Sequence, residues 1–183
     1  PGKYKTWLQP VLKGDKNAFD PPDGAFMNVT VEPADYSAST YFRSKHKTLP
    51  QDTTDTADIW FENTGNMPWY DDAGEHTGPP GTVRTVLYTS NPYGLSSPLG
   101  ALWGPRQNKP TSLFKAVYES DGTTLAADQS VAQPGQIAAF EFTYTVPADI
   151  PLGKYKTWLQ PVLKGDRNAF SLPTSAFMNV TVE

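Results

Sequence analysis

The chain of 183 residues has no cysteine. That excludes a disulfide framework and any metal site built on thiolates. It has two histidines, His46 and His76, and a catalytic triad is set by geometry, so spacing alone argues for none. No apolar run approaches the roughly 20 residues that a membrane-spanning helix needs, so no membrane insertion is expected in this segment. With 15 basic and 19 acidic residues the net charge is −4. No basic stripe is present, which argues against nucleic acid as a partner. Nothing repeats at the 3.6-residue period of a long amphipathic helix.

Aromatic residues are plentiful, at 13% of the chain. The 18 prolines and 14 glycines are spread along it as turns. Short β-branched and aromatic runs lie between the turn clusters, at Tyr36–Arg43, Thr56–Glu62, Thr82–Thr89, Ser112–Glu119, Gln136–Val146, Lys154–Leu163 and Ala176–Val182. Asp121-Gly122 is a hairpin signal, with Thr123–Ala127 expected to pair back across it. Alternation puts Phe140, Phe142, Tyr144 and Val146 on one face of their strand, and Met178, Val180 and Val182 on one face of theirs. The expected fold is an all-β antiparallel sandwich with two long loops, 66–81 and 90–111.

Residues 2–32 and 153–183 are nearly the same sequence, offset by 151 positions and identical at 26 of 31. The differences are Lys16/Arg167, Asp20/Ser171, Pro21/Leu172, Asp23/Thr174 and Gly24/Ser175. A repeat at domain length reads as a tandem array. Residues 1–32 then form the C-terminal strand pair of a preceding repeat, and 33–183 form one complete repeat. Glu32-Pro33-Ala34-Asp35 is the seam, short and stiffened by proline. The start does not read as a signal peptide, and any signal or anchor is expected outside this segment. A lone strand pair is marginal in water. Its faces, carrying Trp7, Met27, Val29 and Val31, are therefore expected to form an assembly interface.

Several segments carry a resemblance. They are Phe61-Glu62-Asn63-Thr64-Gly65-Asn66-Met67-Pro68-Trp69, Thr89-Ser90-Asn91-Pro92, Ser97-Pro98, Trp103-Gly104-Pro105-Arg106-Gln107-Asn108-Lys109-Pro110, the run from Gln133 to Phe142, and Gly153-Lys154-Tyr155. Together and in this order they resemble a bacterial immunoglobulin-like module of secreted and cell-wall proteins, often found beside amidase domains. That module is similar in turn to the four-tryptophan immunoglobulin-like domain of autophagy cargo receptors. Trp60, Trp69, Trp103 and Trp158 supply four tryptophans to the complete repeat. By parity, however, Trp60 lies opposite Ile59 and Phe61, and Trp158 lies among Lys154, Lys156 and Gln160. The resemblance implies an immunoglobulin-like β-sandwich used as a spacer or interaction module, with no catalytic residues.

The chemistry in the loops has two readings at each place. Asp71, Asp72 and Glu75, beside His76, offer hard oxygen ligands that would suit Ca²⁺. The alternating ligand spacing and central glycine of a calcium loop are missing, and a solvated acidic loop accounts for the same residues. Trp69, Tyr70, Tyr93 and Trp103 would either stack on sugar rings as a platform for cell-wall polysaccharide or cap the ends of the sandwich. Glu119, Asp121 and Glu141 are the acids available for glycoside hydrolysis, which needs a facing pair; alternation puts Glu141 on a solvated face. The expectation is a non-enzymatic module without a cofactor, extracellular or at a prokaryotic cell surface, with copies of itself or adjacent repeats as head-to-tail partners. The composition is that of cysteine-free β repeats rich in Thr, Asn, Gly and Pro. A non-catalytic polysaccharide-binding module is the alternative.

Overall fold

A computed structural model of the protein describes residues 1–7, 26–73, 83–90, 96–110, 112–165, 170–171 and 176–183. All its regular structure is strand among the described residues. The strands are β1 (Gly2–Trp7), β2 (Phe26–Val31), β3 (Tyr36–Arg43), β4 (Lys47–Leu49), β5 (Thr53–Asn63), β6 (Trp69–Tyr70), β7 (Thr85–Thr89), β8 (Ser112–Tyr118), β9 (Val131–Ala132), β10 (Ile137–Val146), β11 (Gly153–Leu163), β12 (Phe170–Ser171) and β13 (Ala176–Val182). The chain divides into two compact units, Pro1–Ala34 and Asp35–Glu183.

The first unit is a two-stranded antiparallel sheet, β1 against β2, running from the pair Gly2↔Val31 to the pair Trp7↔Phe26. The second unit holds a sheet in the order β12-β3-β5-β10-β8, another in the order β4-β13-β11-β7, and the small pair β6-β9. Most pairings are antiparallel. The exceptions are β12 with β3 and β13 with β4, both parallel. One core draws on both large sheets. Phe61, Phe140 and Phe142 come from the first; Leu159, Met178 and Val180 come from the second. The alternation of buried and open positions along β5 and β13 is that of strands with one face in a core. Phe140, Phe142, Tyr144, Val146, Met178, Val180 and Val182 are all buried, as their spacing predicts.

The sequence and the structure part at several edges. β5 begins earlier and ends one residue later than the expected Thr56–Glu62. β7 starts at Thr85; Thr82, expected to open it, lies outside the described residues. Asp121-Gly122 does make the turn: Gly122 has φ 69°, and the Asp121 carboxylate accepts the N–H groups of Thr123 and Thr124 at 2.8 Å each. Thr123–Ala127 pairs back across it only briefly and is not a named strand: the Glu119 N–H donates to the Thr124 carbonyl at 2.8 Å and the Ala126 N–H to the Val117 carbonyl at 2.9 Å. The segment makes a single bridge, Tyr118↔Leu125. Beyond the bridge the Gln129 side chain continues the pairing at Val117. Its Oε1 accepts the N–H of Val117 at 2.9 Å, and its Nε2 donates to the Val117 carbonyl at 3.0 Å.

Asn63 closes the end of β5. Its side-chain amide donates to the carbonyls of Met67 and Ala132 at 2.9 and 3.0 Å. This holds the entry to the first long loop against β9, and Trp69 follows directly into the core.

Candidate functional site

The loop residues come first. Trp69 sits on β6 and is buried, its ring 5.1 Å from that of Phe170 in an edge arrangement. Trp103 is buried too. Its Nε1–H donates to the Thr143 carbonyl at 2.6 Å, and its ring meets Phe142 at 75°. The loop wraps tightly around this tryptophan: a Cβ on Gly100 would lie 2.8 Å from the indole. Tyr70 is half-buried, and Tyr93 lies outside the described residues. Trp69 and Trp103 are therefore spent on the core and present no ring face to solvent.

Asp71 and Asp72 diverge. One oxygen of the buried Asp71 carboxylate accepts the N–H of Phe114 at 2.9 Å and that of Asp72 at 2.8 Å. It thereby pins the segment after β6 to β8. Burial pushes the Asp71 carboxyl above its ordinary range, against the pull of those N–H groups. Asp72 points outward to Lys164 at 2.7 Å, with Arg84 at 3.9 Å. Glu75 and His76 lie outside the described residues. Among the described residues no three His, Asp or Glu side chains gather as a metal-binding group.

A cleft of about 400 Å³ opens beside Trp103, lined by Asp72, Tyr88, Arg106, Asn108, Lys109 and Leu113 among others. It offers two cations and one carboxylate, and the carboxylate is already taken by Lys164. Among the described lining residues no nucleophile is paired with a base. The acids weighed for hydrolysis are also occupied. Glu141 and Asp58 share the Lys115 ammonium at 2.9 and 3.2 Å, and hydrogen bonds to Glu141 and then Asp58 raise the Lys115 pKa. Glu119 accepts from Gln136 Nε2 at 3.1 Å. Asp121 caps its own turn, and the Thr124 and Thr123 N–H groups lower its pKa to about 2.

Two aromatic clusters lie on the outer faces, where residue type alone gave no reason to place them. A bulge between Thr40 and Phe42 turns Tyr41 and Phe42 toward Trp60. Tyr118 stacks on the indole at 4.8 Å and Tyr41 lies nearly parallel to it at 6.3 Å. These rings form one outward aromatic cluster around a half-buried indole, with Tyr41 and Phe42 exposed. On the other sheet Trp158 meets Phe177 at 4.6 Å. The Lys156 ammonium lies over both rings, at 4.0 and 3.7 Å, and the Arg43 guanidinium lies 3.6 Å over Phe177. The outward parity of Trp60 and Trp158 was the signal for both clusters. Lys156, one of the two lysines that make Trp158 look misplaced, is its cation–π partner.

The repeated hairpin is the remaining feature. β11 and β13 pair from Gly153↔Val182 to Leu159↔Ala176. Subtracting the 151-residue offset from Gly153↔Val182 through Trp158↔Phe177 returns the β1–β2 register pair for pair. The same sequence pairs in the same register, but the burial differs. Met178 is 3% exposed and Met27 48%; Val182 is 2% exposed and Val31 45%. Val180 is buried, whereas Val29 is only half-buried. The Trp7 side chain lies outside the described residues, although its backbone pairs with Phe26.

No protein-family model and no curated protein matches the chain. Among solved structures it is similar to a family 123 glycoside hydrolase from Clostridium perfringens, described for glycolipid glycan hydrolysis, at 9% identity and a TM-score of 0.32. That match covers 77% of this chain and 23% of the hydrolase, so the chain spans about a quarter of that enzyme's length. A likeness of this size carries no argument about activity.

Proposed function

We propose that the chain is a non-catalytic structural module of immunoglobulin-like type, a repeat of an extracellular fibre, stalk or surface layer. In it, residues 1–32 complete a neighbouring sandwich, head to tail. The observation that carries this reading is the burial contrast between the two copies of the hairpin. The body 35–152 already has one closing pair, β11 with β13, whose Met178, Val180 and Val182 fill its core. The other pair has the same side chains and register, and leaves its core face open.

The strand order supports the immunoglobulin-like part. Leaving out the short strands, β3-β5-β10-β8 and β13-β11-β7 follow the A-B-E-D and G-F-C orders of the constant-type sheets. β4 carries the first strand across to run parallel to the last. An extracellular, prokaryotic setting rests on composition alone. The polysaccharide-binding reading has less behind it, because Trp69 and Trp103, two of its candidate platform residues, are buried.

The test compares the intact chain with one beginning at Pro33, by light scattering over a range of protein concentrations. The reading expects oligomers of the intact chain that grow with concentration, and a monomer from the shortened one. Equal assembly by both would refute it.

A further inference from the structure

This inference rests on the proposed function and specifies the partner of the open hairpin face. We infer that the β1–β2 hairpin docks into the slot between β4 and β7 of a different copy of this body and cannot close the body that follows it in its own chain.

The slot is defined by what fills it at home. β13 lies beside β4 in parallel, with Val180↔Lys47, Thr181↔Thr48 and Val182↔Leu49. β11 lies beside β7 in antiparallel, from Leu159↔Thr89 to Leu163↔Thr85. By the 151-residue offset, a donated hairpin sets Val29, Thr30 and Val31 against Lys47, Thr48 and Leu49 of the acceptor. Met27, Val29 and Val31 take the core places of Met178, Val180 and Val182. Every side chain of β2 that the slot would receive has its identical counterpart there already. The β11–β13 pair fills the slot in the structure with the same side chains, so a donated hairpin from another copy enters by displacing that pair.

The reach of the backbone decides between its own body and another. β5 is an unbroken strand of 11 residues, Thr53–Asn63, and so measures roughly 33 Å. Asp35 is fixed at the Asn63 end: its N–H donates to Asn66 Oδ1 at 2.8 Å, and its carbonyl accepts the Asn66 N–H at 3.0 Å. The slot's exit is at the other end. Glu183, after Val182, donates its N–H to the Leu49 carbonyl at 3.2 Å, and the Lys47 ammonium reaches Asp55 at 2.6 Å. For self-closure, Val31 would have to lie at the Leu49 end while Asp35 stays at the Asn63 end. Four residue steps join Val31 to Asp35 and span at most about 14 Å. That is less than half the distance, so the donated hairpin enters another body. Donor and acceptor surfaces then differ, and the contact does not close on itself.

The absence of cysteine makes the test clean. Thr30→Cys and Thr48→Cys are introduced together in the full chain. Val180→Asp is added to weaken the home hairpin as a competitor. The protein is refolded from denaturant, oxidised and run on a non-reducing gel. Docking in trans gives a disulfide-linked ladder of dimers and higher species whose yield rises with protein concentration. A cross-linked monomer would mean that the hairpin closes its own body, and would overturn the inference while leaving the structural role. Because Val180→Asp itself costs folding, the cysteine pair is also tested with Val180 kept. There the home hairpin competes and the ladder is expected at lower yield. Free thiols in that folded chain at every concentration would show that the hairpin does not use this slot. If the same protein still assembled by light scattering, the proposed function would stand with a different interface. The ladder must also fall at least tenfold when Val29→Asp is placed in the donor hairpin. A ladder indifferent to that change reflects chance collision and overturns the inference.

Discussion

Met27 and Met178 occupy the same place in the same hairpin sequence, and one of them is in a core. That pair gives an internal control on what burial is worth here. Met178→Ala removes a side chain that is 3% exposed and is expected to cost about 2–5 kcal/mol. Met27→Ala in the lone chain is expected to change stability by less than about 0.5 kcal/mol. Urea unfolding of both variants measures the difference, and equal losses would show that the two faces are equally packed. Two carboxylates set opposite pH trends. Burial raises the Asp71 pKa. A group held above its unfolded value contributes stability that is fully present below the unfolded pKa and lost as pH rises through the folded one. Asp71→Asn keeps the oxygen that accepts the Phe114 and Asp72 N–H groups and removes the buried charge. Its urea midpoint is expected above that of the parent at pH 7, with the gap closing as pH falls to about 4. A variant that is weaker at pH 7 would mean that the charge is needed. Asp55 goes the other way. Burial opposes its ionisation, but Lys47, the Thr56 N–H and Tyr144 outweigh it and lower the pKa. Its contribution is present above the unfolded value and lost as pH falls through the folded one.

At the scale of elements, long strands were legible and short ones were not. β3 and β13 match the expected Tyr36–Arg43 and Ala176–Val182, and β10 differs by one residue at its start. Each is long enough for period-2 alternation to register. β4, β6, β9 and β12 have two or three residues, too few to carry a period. They exist because a neighbouring strand offers its edge, which no local pattern reports. The Asp121-Gly122 turn was readable from its residue types, while the shortness of the return was not, because the Gln129 side chain takes the next N–H, that of Val117. Gln129→Ala therefore leaves the N–H of buried Val117 without its acceptor. The expected cost is about 1–3 kcal/mol, read by urea unfolding and by faster hydrogen exchange at Val117. Unchanged exchange there would show that another group takes over the bond. The candidate loops were legible in composition and not in role. Aromatic content cannot distinguish a platform from a cap, and only the packing of Trp69 against Phe170 and of Trp103 against Phe142 does so. Tyr93 and Glu75 lie outside the described residues.

At the scale of the molecule, the complete unit has a direction. Its first strand begins at the Asn63 end of β5, and its last ends beside Leu49 at the other. In the proposed assembly, a hairpin donated at one end and a body entered at the other would give a polar axis and no closure. An unpartnered sheet is an aggregation hazard, and under the proposed exchange the hazard passes to the displaced β11–β13 pair, which must in turn find a partner. The chain has three methionines, Met27, Met67 and Met178, so methyl-labelled methionine NMR reads the central claim directly. In the monomer, a soluble paramagnetic agent should broaden the Met27 methyl signal and spare that of Met178. In the oligomer fraction of the refolded chain, Met27 should become protected and its chemical shift should move to that of Met178 in the monomer, whose core place it takes, while the displaced Met178 opens to the agent. Oligomers in which the Met27 methyl stays open to the agent, or a monomer in which it is already shielded, would contradict the account.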